Sequence, residues 1–410
     1  MLRRVVVRSG WRRGGGRSAV RKDAAKFNCF RLYTHVVPGK RPESDVIQSS
    51  HDSGAHESGR ISVINMNMPV GTPSVHDNSK VMYSLRAPNS SFDPPPLLHT
   101  FLNRPVKTFV RLLDYSLGLL RSTPKPDSPP IRIVCISDTH CLTSVHIPDG
   151  DLLIHAGDLT NAGTPAELQA QIDWLDSLPH KHKVAIAGNH DTYLDPRSRT
   201  TLRPEQQEDS VDWKGIHYLQ HSALTLKFNN GRRSLNLYGA PQIPACGGEA
   251  FAFQYPRGHD AWTDTIPEDS DVLITHTPPK YHLDLPTALG CEFLLGEVWR
   301  VRPAVHIFGH VHAGKSDTLG WLKGGKEVAR WGQEQKCLER TLARPDGLVR
   351  ELLNPRNWLG VMMVLAYGVI GVVWDRVWGG GQNGATLMVN ASLMFDNTGE
   401  LRNPPQVIDI

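Results

Sequence analysis

Five short clusters of side chains in this sequence could hold metal ions, and they follow one another along the chain. They are Asp138-Thr139-His140, Gly157-Asp158, Gly188-Asn189-His190-Asp191, Thr275-His276 and Gly309-His310-Val311-His312. Taken singly, each carries little information, because such pairs occur by chance and a histidine beside a strand is usually packed or solvated. Their number carries more. One tetrahedral zinc needs about four ligands, whereas Asp138, His140, Asp158, Asn189, His276, His310 and His312 make seven, enough for two adjacent ions sharing one carboxylate. Imidazole with carboxylate and amide oxygen, without thiolate, suits Mn, Fe or Zn better than the all-oxygen shells of Mg or Ca.

Each cluster stands directly after a short apolar run: 131–137 (IRIVCIS), 151–155 (DLLIH), 183–187 (KVAIA), 271–275 (DVLIT) and 304–308 (AVHIF). Nearly continuous apolar runs of this length predict strands buried on both faces. Between the second and third, Thr164, Pro165 and Glu167 supply a helix N-cap, first-turn proline and capping-box acid, and Leu168, Ile172 and Leu175 form the apolar stripe. Strands alternating with helix predict an α/β core, and the C-terminal edge of such a sheet is where ligands bind. Glycines before Asp158, Asn189 and His310 are expected to let the backbone turn sharply there.

The ordered pattern D-x-H, G-D, G-N-H-D, H and G-H-x-H resembles the calcineurin-like metallophosphoesterases. The flanking SDTH, LLIHAGDLTNAG, AGNHD, LYGAPQ, DVLITHTPP, VNAS and NPPQVID are similar to the branch of metallophosphoesterase domain-containing proteins, related to class III cyclic nucleotide phosphodiesterases. The resemblance covers 131–314 and 385–410 and implies a four-layer sandwich of two mixed β-sheets flanked by helices. It implies that Asp138, His140 and His312 hold one divalent ion, that Asn189, His276 and His310 hold the other, and that Asp158 bridges them. A metal-activated hydroxide would then attack phosphorus. His190 would serve the leaving oxygen, with Asp191 as the neighbouring carboxylate able to fix its tautomer. The expected reaction is hydrolysis of a phosphate ester, preferably a small phosphodiester. The alternatives are a phosphomonoesterase such as a protein phosphatase, and a non-catalytic interaction protein that keeps the fold.

His155 and His306 lie inside strand runs and are read as core histidines. Arg300 and Arg302, before the last strand, are candidates to meet a phosphate. Cysteines 29, 135, 141, 246, 291 and 337 form no C-x-x-C pair, so neither a disulfide framework nor a thiolate zinc site is expected, and a reducing, cytoplasmic setting is the default.

The remaining organisation follows from composition. Residues 1–130 hold 20 Lys/Arg against 9 Asp/Glu, and residues 131–410 hold 25 against 32. An acidic body argues against specific nucleic-acid binding. Residues 1–93 lack any sustained period and read as a disordered basic region, whose Arg-rich start loosely resembles a mitochondrial presequence. An amphipathic helix with basic residues is predicted over 97–121, with Pro105 as a kink or start, then a Pro-rich linker over 122–130. The phosphoesterase domain is expected over 131–410 with an insertion at 315–384. That insertion contains LGVMMVLAYGVIGVVW, sixteen residues without a charge, short of the ~20 a span needs. Because the metal-ligand strands lie before it and VNAS after it, a helix packed on the body or lying on a membrane surface is expected over 358–378. Segments 97–120 and 358–378 are thus the candidates for peripheral membrane contact.

Overall fold

The computed structural model describes residues 93–315, 324–378, 384–395 and 398–410. The region expected to be disordered, 1–93, lies outside the described residues up to Ser91 and Phe92. The described chain begins with α1 (Leu97–Asn103) and α2 (Pro105–Leu119). The single helix expected over 97–121 is therefore two. The residue before a proline is pushed out of the α region, and Arg104 sits at φ −138°, ψ 52° with Pro105 opening the second helix. The N–H groups of Val106 and Lys107 donate to the buried carboxylate of Glu351 at 2.9 and 3.2 Å, which satisfies first-turn N–H groups of α2. Residues 122–130 form neither helix nor strand, and Arg233 ties them down through Asp127 and the Pro129 carbonyl, each at 3.0 Å.

Two mixed sheets stack face to face. In the first, β1 (Arg132–Ile136), β2 (Leu152–Ala156), β3 (His182–Ile186) and β4 (His217–Tyr218) run parallel. The second takes β5 (Ser222–Phe228) and β6 (Arg233–Ala240), passes over the short parallel pair β7 (Ile243–Pro244) and β8 (Gln254–Tyr255), and adds β9 (Val272–Thr275), β10 (Val305–Phe308), β11 (Lys326–Arg330) and β12 (Ala385–Asn390). Its spatial order is β11-β12-β10-β9-β6-β5. The last strand, β13 (Gln406–Asp409), returns antiparallel to β1 at the edge of the first sheet.

Burial on both faces explains the continuous apolar runs. In β1, Ile133 and Cys135 join the core between the sheets with Leu237, Ile274 and Ile307. Val134 and Ile136 turn the other way, onto Leu168, Ile172 and Leu175 of α3 (Pro165–Ser177). Each of those side chains contributes roughly 1.5–3 kcal/mol by leaving water. Thr164 caps α3 as expected, accepting from the Glu167 N–H at 3.2 Å, whereas the Glu167 carboxylate accepts from the Ala162 N–H at 2.8 Å. Outside the second sheet, Leu294, Leu295 and Val298 of α4 (Glu292–Val301) cover Tyr238, Leu273, Phe308 and Met388. Helix, sheet, sheet and helix make the four-layer sandwich.

Residues 315–384 do more than interrupt the domain. They supply β11, antiparallel to β12, followed by α5 (Gln333–Leu342), α6 (Leu348–Leu353) and α7 (Pro355–Trp378). Val106 and Val110 of α2 pack with Leu338 and Leu342 of α5 and Val361 and Val364 of α7 to form a separate core for this helical layer.

Candidate metal centre

The ends of β1, β2 and β3 from the first sheet meet the ends of β9 and β10 from the second. Three groups of ligand-type side chains form there, each with one donor atom per residue and all atoms of a group within 4.8 Å of one another. The groups are Asp138, His140 and His312; His140, Asp158 and His190; and Asp158, His276 and His310. Asn189 joins them, its Oδ1 lying 3.1 Å from His276 Nε2. All seven side chains expected to be ligands thus lie in one place.

Backbone contacts aim them. The Asp138 N–H donates to the Gly157 carbonyl at 2.9 Å, and the His310 N–H donates to the Asp138 carboxylate at 3.1 Å, which joins β1, β2 and β10. The His190 N–H donates to Asp158 Oδ1 at 2.8 Å, leaving Oδ2 toward the histidines. His276 Nδ1 is held by the Ala156 carbonyl at 2.9 Å, so its Nε2 points into the site. Asp138, His140, Asp158 and His310 adopt left-handed φ values of 55°, 45°, 55° and 65°. Non-glycine residues pay for that conformation, and such strain collects at functional sites. The turns expected of the neighbouring glycines are made partly by the ligands themselves. Gly188 and Gly309 serve close approach instead, since a Cβ at either would collide with the carboxylate of Asp158 or Asp138.

The donor set fits divalent metal. His140 Nε2 is buried without a hydrogen-bond partner, a costly arrangement for a polar atom unless something coordinates it. Burial would raise the Asp158 carboxyl, but His276, His190 and His140 outweigh it and hold the acid well below its ordinary value. At Asp138 burial likewise loses, to His312. His310 is pushed down to about 3 by burial and by His276, so its ring stands neutral, the form in which imidazole binds a metal.

His190 sits at the rim, its ring 4.7 Å from that of His140. Its Nδ1 is bonded at 3.0 Å to the carbonyl of Asn161, which fixes the tautomer. This corrects the role expected of Asp191. That buried carboxylate accepts from the Gly188 N–H (2.7 Å), the Thr160 N–H (2.9 Å) and the Thr160 hydroxyl (2.7 Å) rather than from the His190 ring. It clasps the loops after β2 and β3. Burial and the charge of Asp158 push its pKa up to about 6.

Sequence reasoning missed Phe251, whose ring lies 4.9 Å from that of His190. Its loop is clamped to the β3 loop by Ala252 N–H to the Asn189 carbonyl and by the Thr192 hydroxyl to the Ala250 carbonyl, both 2.8 Å. Gly247 leaves room for the ring, and the Gly-Gly pair before Phe251 was the available signal. His155 and His306 are core residues, bonded to the hydroxyls of Thr139 (3.0 Å) and Thr275 (2.8 Å). Arg300 pairs with Glu297 at 2.6 Å, and Arg302 donates to the Trp299 carbonyl, so both belong to the end of α4. Burial pushes the Cys141 thiol up to about 11, far from a nucleophilic thiolate.

Residues 131–314 match the family described as calcineurin-like phosphoesterase. UPF0046 protein K07C11.7 of Caenorhabditis elegans is 36% identical over 206 residues, 48% of this chain and 69% of that protein. The chain belongs to the calcineurin-like phosphoesterase family. Human metallophosphoesterase domain-containing protein 1 is 39% identical over 215 residues, 47% of this chain and 63% of that protein. Probable rhamnogalacturonate lyase C of Emericella nidulans is 37% identical over 294 residues, 71% of this chain but 25% of that protein. The chain thus spans a quarter and somewhat under two thirds of these two relatives. The matched residues contain all seven side chains expected to be ligands, from Asp138 to His312.

Proposed function

We propose that this calcineurin-like phosphoesterase hydrolyses phosphate esters with two divalent ions, preferring small phosphodiesters. The observation that carries the reading is Asp158, whose Oδ2 lies 3.2 Å from His276 Nε2 and 3.8 Å from His140 Nε2, between the two sets of ligands. Asp138, His140 and His312 would hold one ion, and Asn189, His276 and His310 the other. Mn, Fe or Zn bound there would supply an activated water at neutral pH and positive charge for the phosphoryl oxygens.

The chain's own residues do the rest. The His190 Nδ1–H donates to the Asn161 carbonyl and turns Nε2 outward, where the doubly protonated ring can give its Nε2 proton to the departing alkoxide and return to the neutral form. Phe251 offers that alcohol an apolar face. Among the described residues, the ion-pair partners of Asp138 and Asp158 are histidines only. A site with no arginine among these described partners suits the single charge of a diester better than the double charge of a monoester.

The test is turnover of bis-p-nitrophenyl phosphate, p-nitrophenyl phosphate and 2′,3′- and 3′,5′-cyclic nucleotides with Mn, Fe, Zn or Mg, alongside elemental analysis. Faster diester turnover with two ions per chain supports the reading. Faster monoester turnover replaces the diester preference, and a metal-loaded but inert protein overturns catalysis altogether.

A further inference from the structure

Helix α7 is 24 residues long and contains an 18-residue window of mean hydropathy 1.7, yet only 28% of that window is buried. Leu359, Met362, Val369, Ile370, Val373 and Val377 line up at helical spacing and are all exposed. Met362 and Ile370 are 61% and 60% exposed. The stripe extends along a helix about 36 Å long. A monomeric soluble protein rarely leaves so long an apolar face to water.

Charge is sorted across the same segment. Residues 348–378 contain two acids and three arginines. Both acids face inward: Glu351 caps α2, and Asp375 pairs with Arg121 at 3.0 Å. Arg350, Arg356 and Arg376 are all exposed, two near the start of the stripe and one at its end. Tryptophans stand at the same two places, with Trp358 at the start and Trp374 stacked on Trp378 at the end, centroids 4.5 Å apart. Aromatic rings and arginines at the margins of an apolar stripe match the interface between lipid tails and headgroups.

We propose that α7 seats the protein on the surface of an anionic lipid leaflet, lying in its plane with the apolar stripe submerged and the three arginines on the headgroups. A transverse helix would conflict with the fold. The strands on either side of α7, β11 and β12, pair with each other from Lys326↔Val389 to Arg330↔Ala385. The inner face of the helix is also committed: Gly360 admits Thr341, Gly368 admits Leu117, and Asp375 and Asn357 bond Arg121 and Arg344. Leu348, Val349, Leu352 and Leu353 of the adjoining α6 are exposed as well and enlarge the apolar surface.

The test is flotation of the full-length protein with vesicles of phosphatidylcholine alone or with about a third phosphatidylserine. Wild-type protein should float with the anionic vesicles and be released by added salt. The exposed double substitution Met362→Asp/Ile370→Asp should abolish flotation while leaving the circular dichroism unchanged. Charge reversal at Arg350, Arg356 and Arg376 should weaken binding at least about fivefold per arginine. Asp158→Ala should float like wild type, which separates seating from chemistry. Protein that ignores anionic vesicles, or binds them equally after Met362→Asp/Ile370→Asp, overturns the proposal. So does a concentration-dependent dimer that protects α7 from hydrogen exchange without vesicles and does not float, which assigns the stripe to a second copy. A carbonate-resistant form with its C-terminus across the bilayer also overturns it.

Discussion

His276 reaches across the seam between the two sheets to Asp158, its Nε2 3.2 Å from Oδ2, while its Nδ1 is anchored on the Ala156 carbonyl. His276 follows a strand of the second sheet and Asp158 a strand of the first. The site therefore exists only when both sheets are packed, and Asp158 is its centre.

Asp158→Ala should accordingly lose more than a change at one edge of the site. If Asp158 serves both ions, the variant should bind fewer than two per chain and turn over more slowly than His312→Ala, which touches only the group around Asp138. Elemental analysis with kcat measures both. Two bound ions and undiminished turnover in Asp158→Ala would remove the shared role.

His190→Ala should keep its ions and lose about 10²–10⁴-fold in kcat, the usual worth of general acid catalysis. The loss should shrink for nitrophenyl esters, whose leaving group needs little protonation. Equal losses across leaving groups would mean that His190 positions phosphate instead.

Asp191→Asn separates a clasp from a catalytic partner. The carboxylate accepts from three N–H groups and one hydroxyl, and an amide nitrogen in its place would face donors. Loss of roughly 1–3 kcal/mol of stability is expected, read as a lower Tm. Any fall in kcat should be equal for good and poor leaving groups. A leaving-group-dependent fall resembling that of His190→Ala would restore Asp191 to the proton-transfer chemistry.

The five apolar runs were legible because burial on both faces leaves few polar residues to blur them, and each became a strand within a residue or two of its expected bounds. The β5–β6 hairpin was harder, although Asn229-Asn230-Gly231 marks its turn and Asn230 takes φ 57°. Its alternation is one-sided, with Leu226 and Phe228 buried between exposed neighbours. β11 reads as a polar segment and becomes a strand only through pairing with β12. The orientation of Asp191 was not legible at all, since it depends on Thr160 and Gly188, on loops that only the folded sheets bring together.

A pH-dependent joint links the active-site loop after β9 to the added helical layer. His282 is buried with Nδ1 on Glu327 of β11 and Nε2 3.7 Å from Glu339 of α5. Burial works against its charge, but the two carboxylates outweigh that and lift its pKa from 6.5 to about 9. The folded state thus keeps a proton that the unfolded chain releases first. The stabilisation is complete below about pH 6.5 and is lost as pH rises through about 9. Thermal unfolding of the wild type should show Tm falling by several degrees between those limits. His282→Gln keeps a hydrogen bond but no titration, so it should start with a lower Tm at the acid end and lose this component of the slope. A His282→Gln profile parallel to wild type would show that the proton on His282 does not hold the loop to the helical layer.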